Sequence, residues 1–313
     1  MDPGRRIQRA AERRPVALVG AGVFLFALGP VLVAGAHVSG PVLSFWRLWF
    51  GAGLMGVASA VYVRATGRRP SRRGWGWAAA CGLAFAGHQL FFMSSIRMTS
   101  VVDVTLMQVL APLIVAVLAA PMFGERPGVR FRAWSMVAIV GAAVVALGGS
   151  AGPDGDPAGI AFAALNVLFF AIYFVWSKQA RAYIDVVPFL FGTVVVAAVV
   201  VSAFLVAAGD SPWAATGSDL VAAVAIAILP GALGHFVSTW PLRWVPANVP
   251  PLLQLAIPFI AGLLAWAFLG QGITWAHVVG GLLTIVGAAG AIRSPAGRRM
   301  VAREQALLAA GTS

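Results

Sequence analysis

A chain of 313 residues, 60% hydrophobic and only 10% charged, with a mean hydropathy of +0.89, lacks the roughly one-quarter charged content of an ordinary soluble domain. Cys81 is the sole cysteine, which excludes an intrachain disulfide and a cysteine-based metal cluster. The formal charge of +12 would suggest a nucleic-acid partner in a soluble protein, but its placement along the chain gives it a different meaning.

Residues 1–14 form a basic segment with Arg5, Arg6, Arg9, Arg13 and Arg14. The apolar run that follows, 15–36, is too long for a secretory-leader core and has no small-residue cleavage site, so a retained first span is expected. Nine further apolar stretches follow at 41–63, 75–96, 100–123, 131–149, 157–178, 186–208, 219–240, 247–269 and 274–292. Each is near the ~20 residues that cross a bilayer. With the N-terminus inside, 20 of the 22 basic residues fall on inner segments. Only Arg97 lies outside, and Arg47 lies within a span. Asp154, Asp156, Asp210 and Asp219 all fall outside. Short connecting loops obey the positive-inside rule, so both termini are expected in the cytoplasm and the protein in the cytoplasmic membrane. The basic balance is then a matter of topology, and no nucleic-acid partner is implied.

The chain also repeats itself. At an offset of 146 residues, Arg97 meets Arg243, Gln108 meets Gln254, Pro112 meets Pro258, Gly124 meets Gly270, and the pentapeptide IVGAA recurs at 139–143 and 285–289. Over Arg97–Val145, thirteen of 49 positions are identical without a gap. Each copy holds five spans, an odd number, so the second copy must enter the membrane upside down. Inverted repeats of this kind are built by secondary transporters around a midplane site. The expected fold is an all-α membrane protein of ten transmembrane helices, arranged as two inverted five-helix repeats around a central cavity. Residues 1–14 form a cytoplasmic basic segment, 15–150 and 151–292 the two repeats, and 293–313 a cytoplasmic tail.

The stretch SFWRLWFGAGLM (Ser44–Met55) and the run from Arg97 through QVLAPLIVAVLAAPMFGER to Arg126 resemble the EamA-type repeat of the drug/metabolite transporter superfamily. QLAIPFIAGLLAWAFLGQG (Gln254–Gly272) and GGLLTIVGAAG (Gly280–Gly290) resemble its second copy. The likeness extends over about Leu18 to Ile292. It implies two inverted repeats around a cavity, cytoplasmic termini and transport without ATP hydrolysis, but no particular substrate. The chain departs from the pattern where Gly124–Glu125 becomes Gly270–Gln271, and Arg47 has no basic counterpart in the seventh span.

Charged residues within spans cost about 2.5–3.5 kcal/mol each on insertion scales, so each needs a reason. Arg47 and Asp103 lie at similar depth and form a candidate intramembrane pair; equally, Asp103 is an interfacial, solvated acid. His88 and His235 occupy nearly matching places in spans three and eight, as cavity lining or as packing residues. Asn166, Tyr173 and Trp176 share one face of the sixth span, lining a cavity or packing between helices. The strongest candidates are the prolines. Pro112 and Pro258 cannot donate to the carbonyls four residues back, which belong to Gln108 and Gln254. Freed carbonyls beside amide side chains at membrane depth belong against protein or water, not lipid.

Several motifs do not occur. There is no G-x-x-x-x-G-K-[ST] loop and no H-E-x-x-H, so neither an ATP-driven pump nor a zinc-dependent membrane protease has visible machinery. No metal site or cofactor is expected, and the protein is not expected to be an enzyme. The expected function is secondary transport of a small organic metabolite, with efflux of an amino acid or related compound foremost. Uptake or exchange of a metabolite or nucleotide-type anion is the alternative, and an enzyme acting on lipid-linked substrates a remote one. The partners expected are a small-molecule substrate and the lipid bilayer, with monomer and homodimer both open.

Overall fold

The computed structural model describes residues 15–34, 36–98, 104, 107–108, 110–124, 128–148, 157–243, 245, 249–269 and 275–294. In chain order the helices are α1 (Pro15–Ala34), α2 (Gly40–Thr66), α3 (Arg72–Met98), α4 (Ala111–Phe123), α5 (Val129–Gly148), α6 (Pro157–Ala180) and α7 (Val186–Ala208). Then come α8 (Gly217–Ile226), a π-helical stretch (Ala227–Gly234), α9 (His235–Thr239), α10 (Val249–Gln254), α11 (Ile257–Leu269) and α12 (Trp275–Arg293). Six helical segments among the described residues are long and apolar enough to cross a membrane: Val16–Val33, Gly40–Thr66, Arg72–Ile96, Ala161–Ala180, Val186–Ala208 and Gly217–Leu242. They coincide with expected spans one, two, three, six, seven and eight.

Local chemistry explains where these helices begin and end. Ser39 caps α2, its hydroxyl accepting from the Val42 amide at 3.5 Å, with a proline in the first turn. α2, α4 and α7 each stop at a glycine in the left-handed region: Gly67 (φ 67°), Gly124 (φ 64°) and Gly209 (φ 75°). A side chain there would strain the backbone, which is why glycine closes these helices. At the start of α8, Asp219 accepts from the Thr216 amide at 2.9 Å and the Thr216 hydroxyl at 2.6 Å. It also accepts from the His37 amide at 2.7 Å, tying the α1–α2 connection to the head of α8. At the opposite end, Arg68 lies 3.9 Å from Asp185 and Arg73 stacks over Tyr183 at 4.3 Å. The connections that charge sorting assigns to one side of the membrane therefore meet one another.

Large apolar side chains face outward along the bundle, among them Val117, Val129, Val206, Val221 and Leu282. Such a surface would drive aggregation in water but suits contact with acyl chains. Trp213 and Trp275, both exposed, stand at helix ends, where indole rings favour the interface.

Helix pairing follows the 146-residue offset. α4 and α11 both have 13 residues, and each limit of α11 lies 146 residues beyond its counterpart in α4. α5 packs along α12 with their directions opposed: Gly141 faces Thr284 and Gly280, Gly287 faces Ala138, and Gly290 faces Trp134. The Thr284 hydroxyl comes within 3.4 Å of the Ala138 carbonyl, and these residues are 146 apart. Elsewhere α3 packs on α6 while α1 packs on the π-helical stretch and α9, α4 packs on α6 while α11 packs on α1, and α2 packs on α7. Adding one repeat length to one member of each pair and subtracting it from the other returns a pair that is also present.

Candidate functional site

The hydrogen bonds lost at Pro112 and Pro258 leave open either kinked packing helices or interrupted ones. The second repeat is interrupted: α10 stops at Gln254, Leu255 and Ala256 form a turn, and α11 starts at Ile257. In the first repeat Leu110 is the turn residue from which α4 starts at Ala111. Each proline is thus the second residue of a new helix. Its missing N–H costs nothing there, and its fixed φ suits the first turn. At such a site proline starts a helix more readily than it bends one.

Gln108 and Gln254 line the same cavity, whose space not filled by atoms comes to about 890 Å³ with its open side included. Ala111 and Ile257, the first residues of α4 and α11, stand in its wall beside them. Arg47, His88 and His235 line it as well, with Phe26, Phe92 and Phe170 supplying much of the apolar surface. Five residues singled out from sequence thus converge on one space from α2, α3, the segment before α4, α9 and α10.

The polar groups around this space are tied to one another. Arg47 is 7% exposed, and one of its terminal nitrogens donates to Gln89 Oε1 at 2.6 Å. Its Nε is buried without a partner, as are the side-chain nitrogens of Gln254 and Asn166. His88 Nδ1 lies 2.5 Å from Asn166 Oδ1. The Tyr173 hydroxyl lies 3.2 Å from His235 Nδ1 and 3.5 Å from the Thr239 hydroxyl. Phe85 stands between the histidines, its ring centroid 5.7 Å from His88 and 4.9 Å from His235.

Asn166 and Tyr173 are fully buried; neither lines this cavity, and each contacts a histidine that does. Tyr173 lines a smaller second cavity, shared with Arg47, His235 and Thr193. Trp176 lies elsewhere, edge-on to Trp77 at 6.4 Å and packed against the Val115–Ala119 cluster. Asp103 lies outside the described residues, so the Arg47–Asp103 pairing cannot be placed.

Two features of the site went unflagged in the sequence. Gln89, the partner of Arg47, follows His88 directly, and the general rule that a polar residue in a span needs a partner would have singled it out. The other is the π-helical stretch AILPGALG (Ala227–Gly234), whose Pro230 lines the cavity. Pro230 removes a backbone donor, and wide turns of this kind recur at functional sites. Its run of apolar letters resembles any other span.

A family model described as the EamA-like transporter family matches residues 14–147 and 157–293, two matches that divide the chain where the internal repeat divides it. An uncharacterized transporter of Archaeoglobus fulgidus is 26% identical over 83% of this chain and 90% of its own length. The uncharacterized transporter YdfC of Bacillus subtilis is 24% identical over 66% of this chain and 67% of its own. A crystal structure of another protein superposes with a TM-score of 0.72 at 20% identity, covering 88% of this chain and 96% of that one, a likeness of fold alone.

Proposed function

Because the chain belongs to the EamA-like transporter family and is a multi-pass membrane transporter of small molecules, not an enzyme, we propose that it exports a small organic metabolite by alternating access. An amino acid or related compound is the foremost cargo. The substrate site is the cavity between Gln108 and Gln254. The observation that carries this reading is that two glutamines 146 residues apart, each at a helix break, line one space. Interrupted helices at corresponding places in two repeats are the strongest sequence pointer to a transporter's site.

Alternating access by inverted repeats requires a pseudo-two-fold axis, and the α5–α12 contact supports one. Under the 146-residue offset, the contact of Gly141 with Thr284 maps onto that of Gly287 with Ala138. A contact set that returns to itself on exchange of repeats is what a two-fold axis produces. Rocking one repeat against the other about that axis would expose the same glutamines to each side in turn.

The experiment compares metabolites inside and outside cells that overexpress or lack the protein, then follows flux of the compound identified through Gln108→Ala and Gln254→Ala variants in proteoliposomes. A compound that accumulates outside on overexpression and inside on deletion, with flux lost in both variants, is expected. Accumulation inside on overexpression would reverse the direction. Normal flux in both variants would remove the glutamines from the site.

A further inference from the structure

We propose that this cavity recognises a carboxylate, held between the Arg47 guanidinium and the amino ends of α4 and α11. This rests on the reading of the cavity as the transport site, and it names the group by which the substrate is held. The cavity wall is rich in donors. Arg47 is more than nine-tenths buried, with Nε unpartnered, and Gln254, 9% exposed, has an unpartnered Nε2. α4 and α11 begin in the same wall, and the first turn of a helix carries unpaired amides and partial positive charge.

No aspartate or glutamate among the described residues lines this space. The His37–Asp219 and Arg68–Asp185 ion pairs lie at the ends of the bundle. A buried cation with no counter-charge among the described residues is costly, and a bound anion would relieve it.

Charge balance selects the class of anion. Arg47 is the one formal charge on this wall among the described residues. A monoanion brings the site to neutrality, whereas a phosphate dianion leaves a net negative charge buried in apolar surroundings. A guanidinium also matches a carboxylate with two parallel hydrogen bonds. Phe26, Phe92 and Phe170 offer the remaining surface to an apolar body. The substrate class is therefore a small organic monocarboxylate with an apolar chain or ring. A free amino group is not required, since no acidic side chain among the described lining residues awaits one.

The test uses the full-length protein in detergent and matched probes: phenylpropanoate with phenylpropanamide, hexanoate with hexanamide, and phenyl phosphate. Binding is measured by calorimetry and by thermal stabilisation. Each acid should bind about tenfold or more tightly than its amide, the order expected when a charge-assisted pair replaces a neutral hydrogen bond. Arg47→Gln should bring the acids down to the amides, and Arg47→Lys should keep part of the preference. Acids and amides that bind the wild type equally, a preference that survives Arg47→Gln, phenyl phosphate binding above both acids, or no acid binding at all would each overturn the assignment. The wild-type comparison stands even if the arginine variants fail to fold. Gln254→Trp, which fills the cavity, separates the two readings. Acid binding unaffected by it overturns the cavity as the site. Amide binding as tight as acid binding, and abolished by it, overturns only the carboxylate.

Discussion

The α5–α12 contact gives the sharpest structural test. A methyl group added at Gly141 would sit 2.5 Å from the Thr284 amide nitrogen and 2.6 Å from the Gly280 carbonyl oxygen. Ordinary carbon contacts begin near ~3.5 Å, so the two helices must part by about 1 Å. The two nearest atoms are backbone, so moving the Thr284 hydroxyl, 2.7 Å away, would not relieve the clash. Overpacking of this kind costs about 1–3 kcal/mol, and a rigid backbone obstacle places it at the upper end. Gly→Ala in a helix returns up to about 1 kcal/mol of propensity, leaving Gly141→Ala destabilising by about 2 kcal/mol. Gly287→Ala should lose a similar amount, because its added methyl would meet the Ala138 backbone in the mirrored arrangement. Gly53→Ala, with nothing within 4 Å, should be neutral or stabilising. In thermal unfolding of the solubilised protein, the first two variants should melt roughly 3 °C below wild type, and the third at or above it. A Gly141→Ala protein as stable as Gly53→Ala would refute the packing. So would a large loss at Gly141 with none at Gly287, which would also remove the support this contact lends to a two-fold axis.

Gln108→Ala and Gln254→Ala should each lower flux of the identified substrate about tenfold or more, the scale of a lost buried hydrogen bond to a bound ligand; wild-type flux in either variant contradicts its placement at the site. Asp103→Asn should retain substantial transport driven by the substrate gradient, and complete loss at normal expression would point to proton coupling. Reporter tags at the C-terminus should read inside, and a tag in the 154–156 loop outside; the reverse would overturn the charge-sorted topology.

How much could be read from the letters depends on which interactions carry each feature. The six spans that recur as long apolar helices were legible because hydropathy is summed over ~20 residues and tolerates local error. The offset was legible because arginine, glutamine and proline are rare in lipid, so their coincidence at 97/243, 108/254 and 112/258 stands out. From that offset alone, α4 and α11 could be expected to match, and they do, from first residue to last. The helix breaks were half legible. Proline announced a lost hydrogen bond, but whether a helix bends or restarts is decided by what packs around it. The pairings of Arg47 with Gln89, His88 with Asn166 and His235 with Tyr173 were beyond sequence, since each joins different helices. Trp176 shares a helical face with Asn166 and Tyr173, yet a face of α6 wide enough to hold all three also reaches Trp77 and α4.

Symmetry in the backbone and asymmetry in the side chains then have separate uses. Matching helix starts, at Ala111 and Ile257, line one cavity; on the inverted-repeat reading, a motion that exchanges the conformations of the two repeats needs their backbones to be alike. A substrate has no such symmetry, so its recognition must come from positions where the repeats differ. At the same 146-residue offset Arg47 corresponds to Thr193, and both line the smaller cavity beside α7. Thr193 turns its hydroxyl to the Ala78 carbonyl at 3.3 Å, satisfying itself within the bundle, while Arg47 keeps an unpartnered nitrogen. On the inverted-repeat reading, the charge lies on one side of the axis and the polar but self-satisfied residue on the other. Thr193→Arg tests whether that imbalance matters. A second guanidinium would raise the local charge by one, favouring a dianion such as phenyl phosphate over phenylpropanoate in the binding assay above. An unchanged acid preference in a folded Thr193→Arg protein would show that charge at this level does not select the substrate.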